Sequence, residues 1–291
     1  MRIGVIGNGY WARVTHLAGL RAEPSVTLTG VWGRAEAVSK QVAAELGITA
    51  YRTVDELFDD VEAVAFSVPP QVQSELALAA ARRGKHLLLE KPIALRAEAA
   101  DRLADAIGEA GVASVVFFTS RFDDAQRAWL DEMATRSGWD GGSGQLLGSA
   151  FAEGSPFDTP WRHDMGGLWD VGPHALAIIT AALGPVEQLS ALAGPRDLVL
   201  LSLRHHSGAC SSYAVSIQAP PAASYSGLSI WGEPGRFELP AGPADPAAAL
   251  ATAARELAVQ AARPDPSHPC DVRFGRQVVH LLAEAERQLG L

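Results

Sequence analysis

The sequence predicts an α/β chain in two parts. Residues 1–118 form a doubly wound parallel sheet, and residues 119–291 an α+β domain with a mostly antiparallel sheet. Three observations predict this. Short apolar runs alternate with helix-period stretches through the first part, the mark of βαβ units. A glycine-rich turn, Gly7-Asn8-Gly9-Tyr10-Trp11-Ala12, follows the first run and opens the first helical stretch. Beyond residue 144, strand-like runs follow one another with few helices between them, as antiparallel pairing allows.

The elements of the first part follow in order. RIGVI (2–6) is bounded by Gly7 and reads as a buried parallel strand. A helix is expected over 9–21, with Val14, Leu17, Ala18 and Arg21 at helical spacing. VTLTGVW (26–32) is a strand, 35–46 a helix stopped by Gly47, and 62–68 a strand closed by Pro69-Pro70. An alanine-rich helix over 71–83 ends at Gly84, His86–Leu89 is a strand, 97–108 a helix and 112–118 the last strand. In the second part a helix near 123–136 leads to a loop, GWDGGSG (138–144). Strands are expected at about 145–152, 187–193, 197–204, 209–218 and 224–231, with a helix near 173–183. His205 and His206 lie near a turn and are read as facing solvent. Helices near 246–262, with a proline-rich entry, and 271–289 close the sequence.

Composition narrows the function classes. With 48% hydrophobic and 20% charged residues, the chain can build a packed core. A net charge of −9 argues against nucleic-acid binding through a general basic field. Two cysteines, Cys210 and Cys270, with no CxxC, point to a reducing cytoplasm. The N-terminal apolar run is too short and too glycine-broken for a leader or a membrane span. Only three lysines, Lys40, Lys85 and Lys91, stand among the 24 Lys and Arg. In an arginine-biased chain a retained lysine offers an amine that can titrate.

The glycine-rich turn fits G-x-G-x-x-G/A between a strand and a helix. Gly7 permits the tight turn, Gly9 lets backbone approach a pyrophosphate, and Ala12 lets helix and strand pack closely. The helix N-terminus adds N–H donors. This is a Rossmann-type dinucleotide signature, with Asn8, Tyr10 and Trp11 as further cofactor-contact candidates. An NAD-type site carries Asp or Glu after the second strand, for the ribose 2′-OH. Here Gly33-Arg34 stands in its place. A guanidinium pairs with a 2′-phosphate, which favours NADP, with NAD as the alternative.

Glu90-Lys91-Pro92 follows a strand's carboxyl end, where open α/β sheets bind ligands. With GNGYWARVTHLAGL, the VPP turn, AARRGKHLLLEKP, SRFD and WRHDMGGLWDVGPHALAI, the sequence resembles the Gfo/Idh/MocA oxidoreductase family. The resemblance implies a nicotinamide-dependent oxidoreductase acting on the secondary alcohol or ketone of a sugar, cyclitol or related polyol. It places Lys91 beside substrate and nicotinamide, with Val68, Pro69 and Glu90 at the cofactor. A lysine amine in a closed, partly desolvated pocket can exchange a proton near neutrality, or polarise a carbonyl while charged. The family pairs an aspartate and a histidine four apart with this lysine, a pattern matched by Asp170 and His174. Histidine suits general acid–base work. Asp170 would orient or charge-stabilise that imidazole, or hydrogen-bond substrate, provided helical geometry extends back from an N-cap at Gly172; both residues are also candidates to bind substrate. Arg121, Trp161 and Arg162 are candidates to line a sugar site, or else packing residues.

A homodimer or homotetramer is the oligomer the resemblance implies. Where the family often carries a histidine in the helix after the VPP turn, this chain has Gln73. A metal site at His163, Asp164, Asp170 and His174 is not expected, because the spacing is not HExxH and no cysteine lies nearby. The competing functional readings are a non-catalytic NAD(P)-binding sensor or scaffold, and an S-adenosylmethionine methyltransferase, which would leave Glu-Lys-Pro unexplained.

Overall fold

The computed structural model describes residues 1–242 and 245–290. Two compact units emerge: Met1–Phe122 with Asp245–Gln277, and Asp123–Ala244 with Val278–Leu291. The sequence suggested one boundary, at 118/119. Instead the chain returns, and Asp245–Gln277 packs within the first unit.

The first unit carries β1 (Arg2–Ile6), β2 (Thr27–Trp32), β3 (Thr49–Ala50), β4 (Ala63–Phe66), β5 (His86–Glu90) and β6 (Ser114–Phe117). All pair in parallel, in the order β3-β2-β1-β4-β5-β6. The central strands are apolar on both faces because helices cover both: Ile3, Val5, Val64, Phe66 and Leu88 are fully buried. The connecting helices are α1 (Ala18–Ala22), α2 (Glu36–Leu46), α3 (Val54–Asp60), α4 (Pro70–Arg82) and α5 (Ala97–Ala110). The sequence reading lacked β3 and α3. The latter is a short helix capped by Thr53, whose hydroxyl accepts from Glu56 N at 3.1 Å.

The stretch before α1, Ala12–Leu17, is a π-helix rather than an ordinary helical turn. Its wider turn changes which residues face inward. Thr15, His16 and Leu17 are buried, while Val14, expected on the apolar face, is exposed.

The returning segment contributes α9 (Pro246–Ala261). Its small residues allow close approach: a Cβ on Gly19 would overlap the carbonyl of Ala247. Val116 N donates to Cys270 O at 2.7 Å and Val272 N to Ser114 Oγ at 3.1 Å, so this return also lies along the β6 edge. Pro243 and Ala244, in the proline-rich entry to α9, lie outside the described residues.

The second unit has a six-stranded sheet of β7 (Trp139–Leu147), β8 (Val186–Ala193), β9 (Val199–His205), β10 (Cys210–Ser216), β11 (Tyr225–Gly232) and β12 (Gly235–Glu238). The order is β12-β11-β7-β10-β9-β8; β7 and β10 are parallel and the other pairs antiparallel. The supposed loop 138–144 is mostly strand. A Cβ at Gly144 would overlap the Tyr213 ring, and one at Gly141 the Cys210 carbonyl. These glycines serve close cross-strand packing, not a turn. The strand ends at Leu147 rather than near 152.

Its helices are α6 (Asp124–Ala134), α7 (Pro160–Asp170) and α8 (Gly172–Leu183), with α10 (Val272–Leu289) running from the first unit's residues into the second's. Leu201, Leu203, Tyr213 and Ile230 fill the buried face of the sheet. Contrary to the sequence reading, His205 is fully buried; only His206 faces solvent. His205 Nδ1 lies 2.7 Å from Gly184 O and Nε2 2.8 Å from Ser211 Oγ. Both ring nitrogens are thereby served inside the core.

Candidate functional site

In the first unit, the candidate cofactor residues follow the carboxyl ends of parallel strands. Gly7, after β1, has φ +130°, and a Cβ there would overlap the Ser67 carbonyl beyond β4. Only glycine fits. A Cβ built on Gly9 would meet no protein atom within 4 Å, so the turn presents bare backbone to open space, as a pyrophosphate cradle requires. Ala12 is 1% exposed, the small third residue of the motif. Asn8 reaches across to the turn after β2, donating to Ala35 O at 2.8 Å and Ser39 Oγ at 2.9 Å. A Cβ on Gly33 would overlap the Asn8 amide, which explains why that position is glycine. Arg34, next to it, is exposed, as is Tyr10. Val68 is half-buried and Pro69 exposed after β4.

Glu90 is the buried last residue of β5, with half-buried Lys91 after it and a cis Lys91–Pro92 peptide. Glu90 Oε1 accepts from Trp11 Nε1 at 2.7 Å and lies 2.8 Å from His16 Nε2; Oε2 accepts from Lys91 N at 3.3 Å. Gln73, fully buried in α4, bonds the main chain of the same turn. The structure thus ties Trp11, from the glycine-rich turn, to Glu90. Sequence reasoning noted Gln73 only as a departure and passed over His16. The signal available was a polar pair, Thr15-His16, inside an otherwise apolar face. Lys85, by contrast, donates Nζ to Val61 O at 2.9 Å, and Lys40 pairs with Glu36 on the surface at 2.7 Å. Arg121 is half-buried, with its guanidinium 6.0 Å from the Phe274 ring centroid.

In the second unit, Asp170 ends α7 and His174 lies in the first turn of α8. Val171 between them is αR and is itself the N-cap, a role expected of Gly172, so helical geometry does extend back to Asp170. Asp170 is buried and His174 half-buried. Arg162 Nε donates to Asp170 Oδ2 at 2.7 Å. The guanidinium also lies 4.6 Å from the Trp161 ring and 5.3 Å from the Phe157 ring. This charge-assisted bond holds the carboxylate in one orientation. α7 is broken at Gly166 (φ +62°), and Asp197 Oδ2 accepts from the next amide, Gly167 N, at 2.8 Å. Among the described residues, no group of three or more His, Cys, Asp and Glu side chains could hold a metal ion. Nor is any helix there long and apolar enough to cross a membrane.

Known proteins resemble this chain in sequence and in fold. Residues 1–118 match the GFO_IDH_MocA model, described as "Oxidoreductase family, NAD-binding Rossmann fold". The chain is 31% identical over 196 residues to a dTDP-3,4-didehydro-2,6-dideoxy-alpha-D-glucose 3-reductase of Streptomyces antibioticus, covering 64% of this chain and 57% of the relative. It is 37% identical over 106 residues to a UDP-N-acetylglucosamine 3-dehydrogenase of Acidithiobacillus ferrooxidans, covering 35% of this chain and 32% of the relative. The matches thus span between a third and somewhat over half of these relatives. A probable dehydrogenase from Thermotoga maritima superposes with a TM-score of 0.87 at 21% identity, over 100% of this chain and 97% of that one; this shows a shared fold.

Proposed function

Because residues 1–118 match the model of the Gfo/Idh/MocA oxidoreductase family, we propose that the chain is a member of it and an NAD(P)-dependent dehydrogenase or reductase. Its substrate is the secondary alcohol or ketone of a sugar, cyclitol or related small polyol, and NADP is the preferred cofactor. The observation that carries the reading is the Glu90-Lys91-Pro92 turn, bonded through Glu90 to Trp11 of a turn shaped for a pyrophosphate. The names of the relatives support a sugar-like substrate.

When bound, the dinucleotide supplies or accepts the hydride. Gly7, Asn8, Gly9 and Tyr10 would cradle its phosphates. Gly33 and Arg34 would face the adenosine ribose, with Val68 and Pro69 nearer the nicotinamide. Lys91 polarises the substrate oxygen or exchanges its proton, His174 is the general acid–base, and Asp170 orients the imidazole. Trp161, Arg162 and Arg121 are assigned to the substrate's hydroxyl groups. Cys210 and Cys270 form no disulfide among the described residues, which supports a cytoplasmic location. Exposed Leu192 and Leu200, paired across β8 and β9, support self-association through the sheet. Sedimentation of Leu200→Glu would then shift toward monomer.

The test is nicotinamide turnover by the purified protein over a panel of polyols and keto sugars. Lys91→Ala is expected to keep dinucleotide affinity and to lower turnover by about 10²-fold or more. Near-normal turnover would remove Lys91 from the mechanism. Arg34→Ala should weaken NADPH by about tenfold, roughly 1.4 kcal/mol, with little effect on NADH. Equal losses for the two cofactors would sink the 2′-phosphate assignment.

A further inference from the structure

Gln73 lies in the first two turns of α4 and is 0% exposed, so its amide touches protein alone. A buried primary amide is costly unless its donors and acceptor are all served. Here they are spent on one short piece of main chain. Nε2 donates to Glu90 O at 2.8 Å and to Pro92 O at 3.2 Å, and Oε1 accepts from Glu90 N at 2.8 Å. Those groups bracket Lys91. The peptide plane entering Lys91 and the carbonyl leaving Pro92 are thus held by a single side chain.

A second set of bonds fixes the same turn from the opposite direction. The Glu90 carboxylate takes Trp11 Nε1 and the Lys91 amide, and His16 Nε2 lies within bonding distance. With the proton on Nε2, His16 donates to that carboxylate, and its Nδ1 has no hydrogen-bond partner among the described residues. His16 therefore has Glu90 as its polar partner. It lies in the π-helical stretch, which turns Thr15 and His16 inward together.

We propose that Gln73 is the principal positioning residue for Lys91, clamping the main chain on both sides of it, while Trp11 and His16 fix the turn through the Glu90 carboxylate. Pre-organisation matters here because a displacement of about 1 Å in a reacting group costs up to about 10²-fold in rate. Through the Glu90 carboxylate alone, and not through Gln73, the lysine turn is also tied to Trp11 of the glycine-rich turn. This inference rests on the assignment of Lys91 to the substrate oxygen.

The scarcity of lysine makes a direct test possible. Limited reductive methylation with formaldehyde and cyanoborohydride, read by peptide mass spectrometry, reports Lys91 separately from Lys40 and Lys85. Gln73→Met keeps length and burial and removes every hydrogen bond. It should raise the Lys91:Lys40 labelling ratio by about threefold or more and lower kcat by about tenfold, with NADPH Kd nearly unchanged. In Gln73→Glu a protonated carboxyl restores one donor and one acceptor, whereas the carboxylate would oppose two carbonyl oxygens. Labelling ratio and kcat in that variant should return toward wild type as pH falls, while Gln73→Met stays displaced. A merely structural role would lower Tm in both variants and leave the ratio unmoved.

Unchanged ratio and kcat in folded Gln73→Met overturn the proposal. If that variant does not fold, an absence of recovery at low pH in Gln73→Glu overturns it equally. The two readings fail separately. Near-normal turnover in Lys91→Ala removes the catalytic role of Lys91, and the labelling ratio still reports whether the clamp holds the lysine in place.

Discussion

Asp197 shows how much of the second unit hangs on one carboxylate. It accepts from Gly167 N at 2.8 Å, Ile217 N at 2.9 Å and Gln218 N at 3.2 Å, and from the Ser216 hydroxyl. The three amides lie at the break in α7 and at the exit from β10. Gly167 must be glycine as well, since a Cβ there would press into Ser216 backbone. Asp197→Ala strips the charge-assisted acceptor from all three amides. Each buried unsatisfied N–H costs about 1–3 kcal/mol, partly recovered by water at this half-buried position, so a net loss of about 3 kcal/mol is expected. Urea unfolding measures it; a loss below about 0.5 kcal/mol would mean that the Gly166 break holds itself. Because Gly167 leads directly into Asp170, the same variant should also weaken the Arg162–Asp170 bond and lower turnover beyond the stability loss.

At the scale of elements, legibility followed how many roles a residue type had to serve. The strands of the first sheet read clearly because burial on both faces demands continuous apolar runs, and Gly47 and Gly111 stop α2 and α5 in the left-handed region as helix ends require. Glycine misled in β7, where Gly141, Gly142 and Gly144 look like a loop. The choice there is made by neighbours distant in sequence, the Tyr213 ring and the Cys210 carbonyl, which no local pattern reveals. The candidate residues of each unit divide in the same way. Gly7, Gly9, Lys91, Asp170 and His174 stand in local motifs, whereas Gln73, His16 and Asp197 act through partners 17 or more residues away. Gly144→Ala tests the packing account. It should cost about 1–3 kcal/mol by overpacking the centre of the sheet. In a Tyr213→Leu background the added methyl meets a smaller side chain and should cost less. Additive effects in that double-mutant cycle would show that the ring is not what Gly144 accommodates.

For the whole molecule, one histidine in each unit links stability to acid pH. His205 in the second unit and His86 in the first are both pushed below the ordinary histidine range, first by burial; Glu62 near His86 and the Gly184 carbonyl at His205 oppose the shift. The bonding of His86 points the same way. Its Nδ1 accepts from Ala113 N at 3.0 Å, linking β5 to the start of β6, and protonation would set an N–H against that amide. With the folded pKa depressed, the unfolded chain binds more protons at every pH between the two values. Stability from these groups is therefore fully present above the unfolded value of about 6.5 and is lost as pH falls through the folded one. Denaturant midpoints should accordingly be flat from about pH 8 to 7 and fall below about 6.5. His86→Asn keeps an acceptor oxygen near the Nδ1 position and cannot titrate. It should match the parent near neutrality within about 1 kcal/mol and show a shallower acid slope. An unchanged slope would assign the acid sensitivity to other groups. Since His86 opens the strand that ends at Glu90, protection of the Glu90 and Lys91 amides from hydrogen exchange should also fall with pH in the parent and hold in the variant.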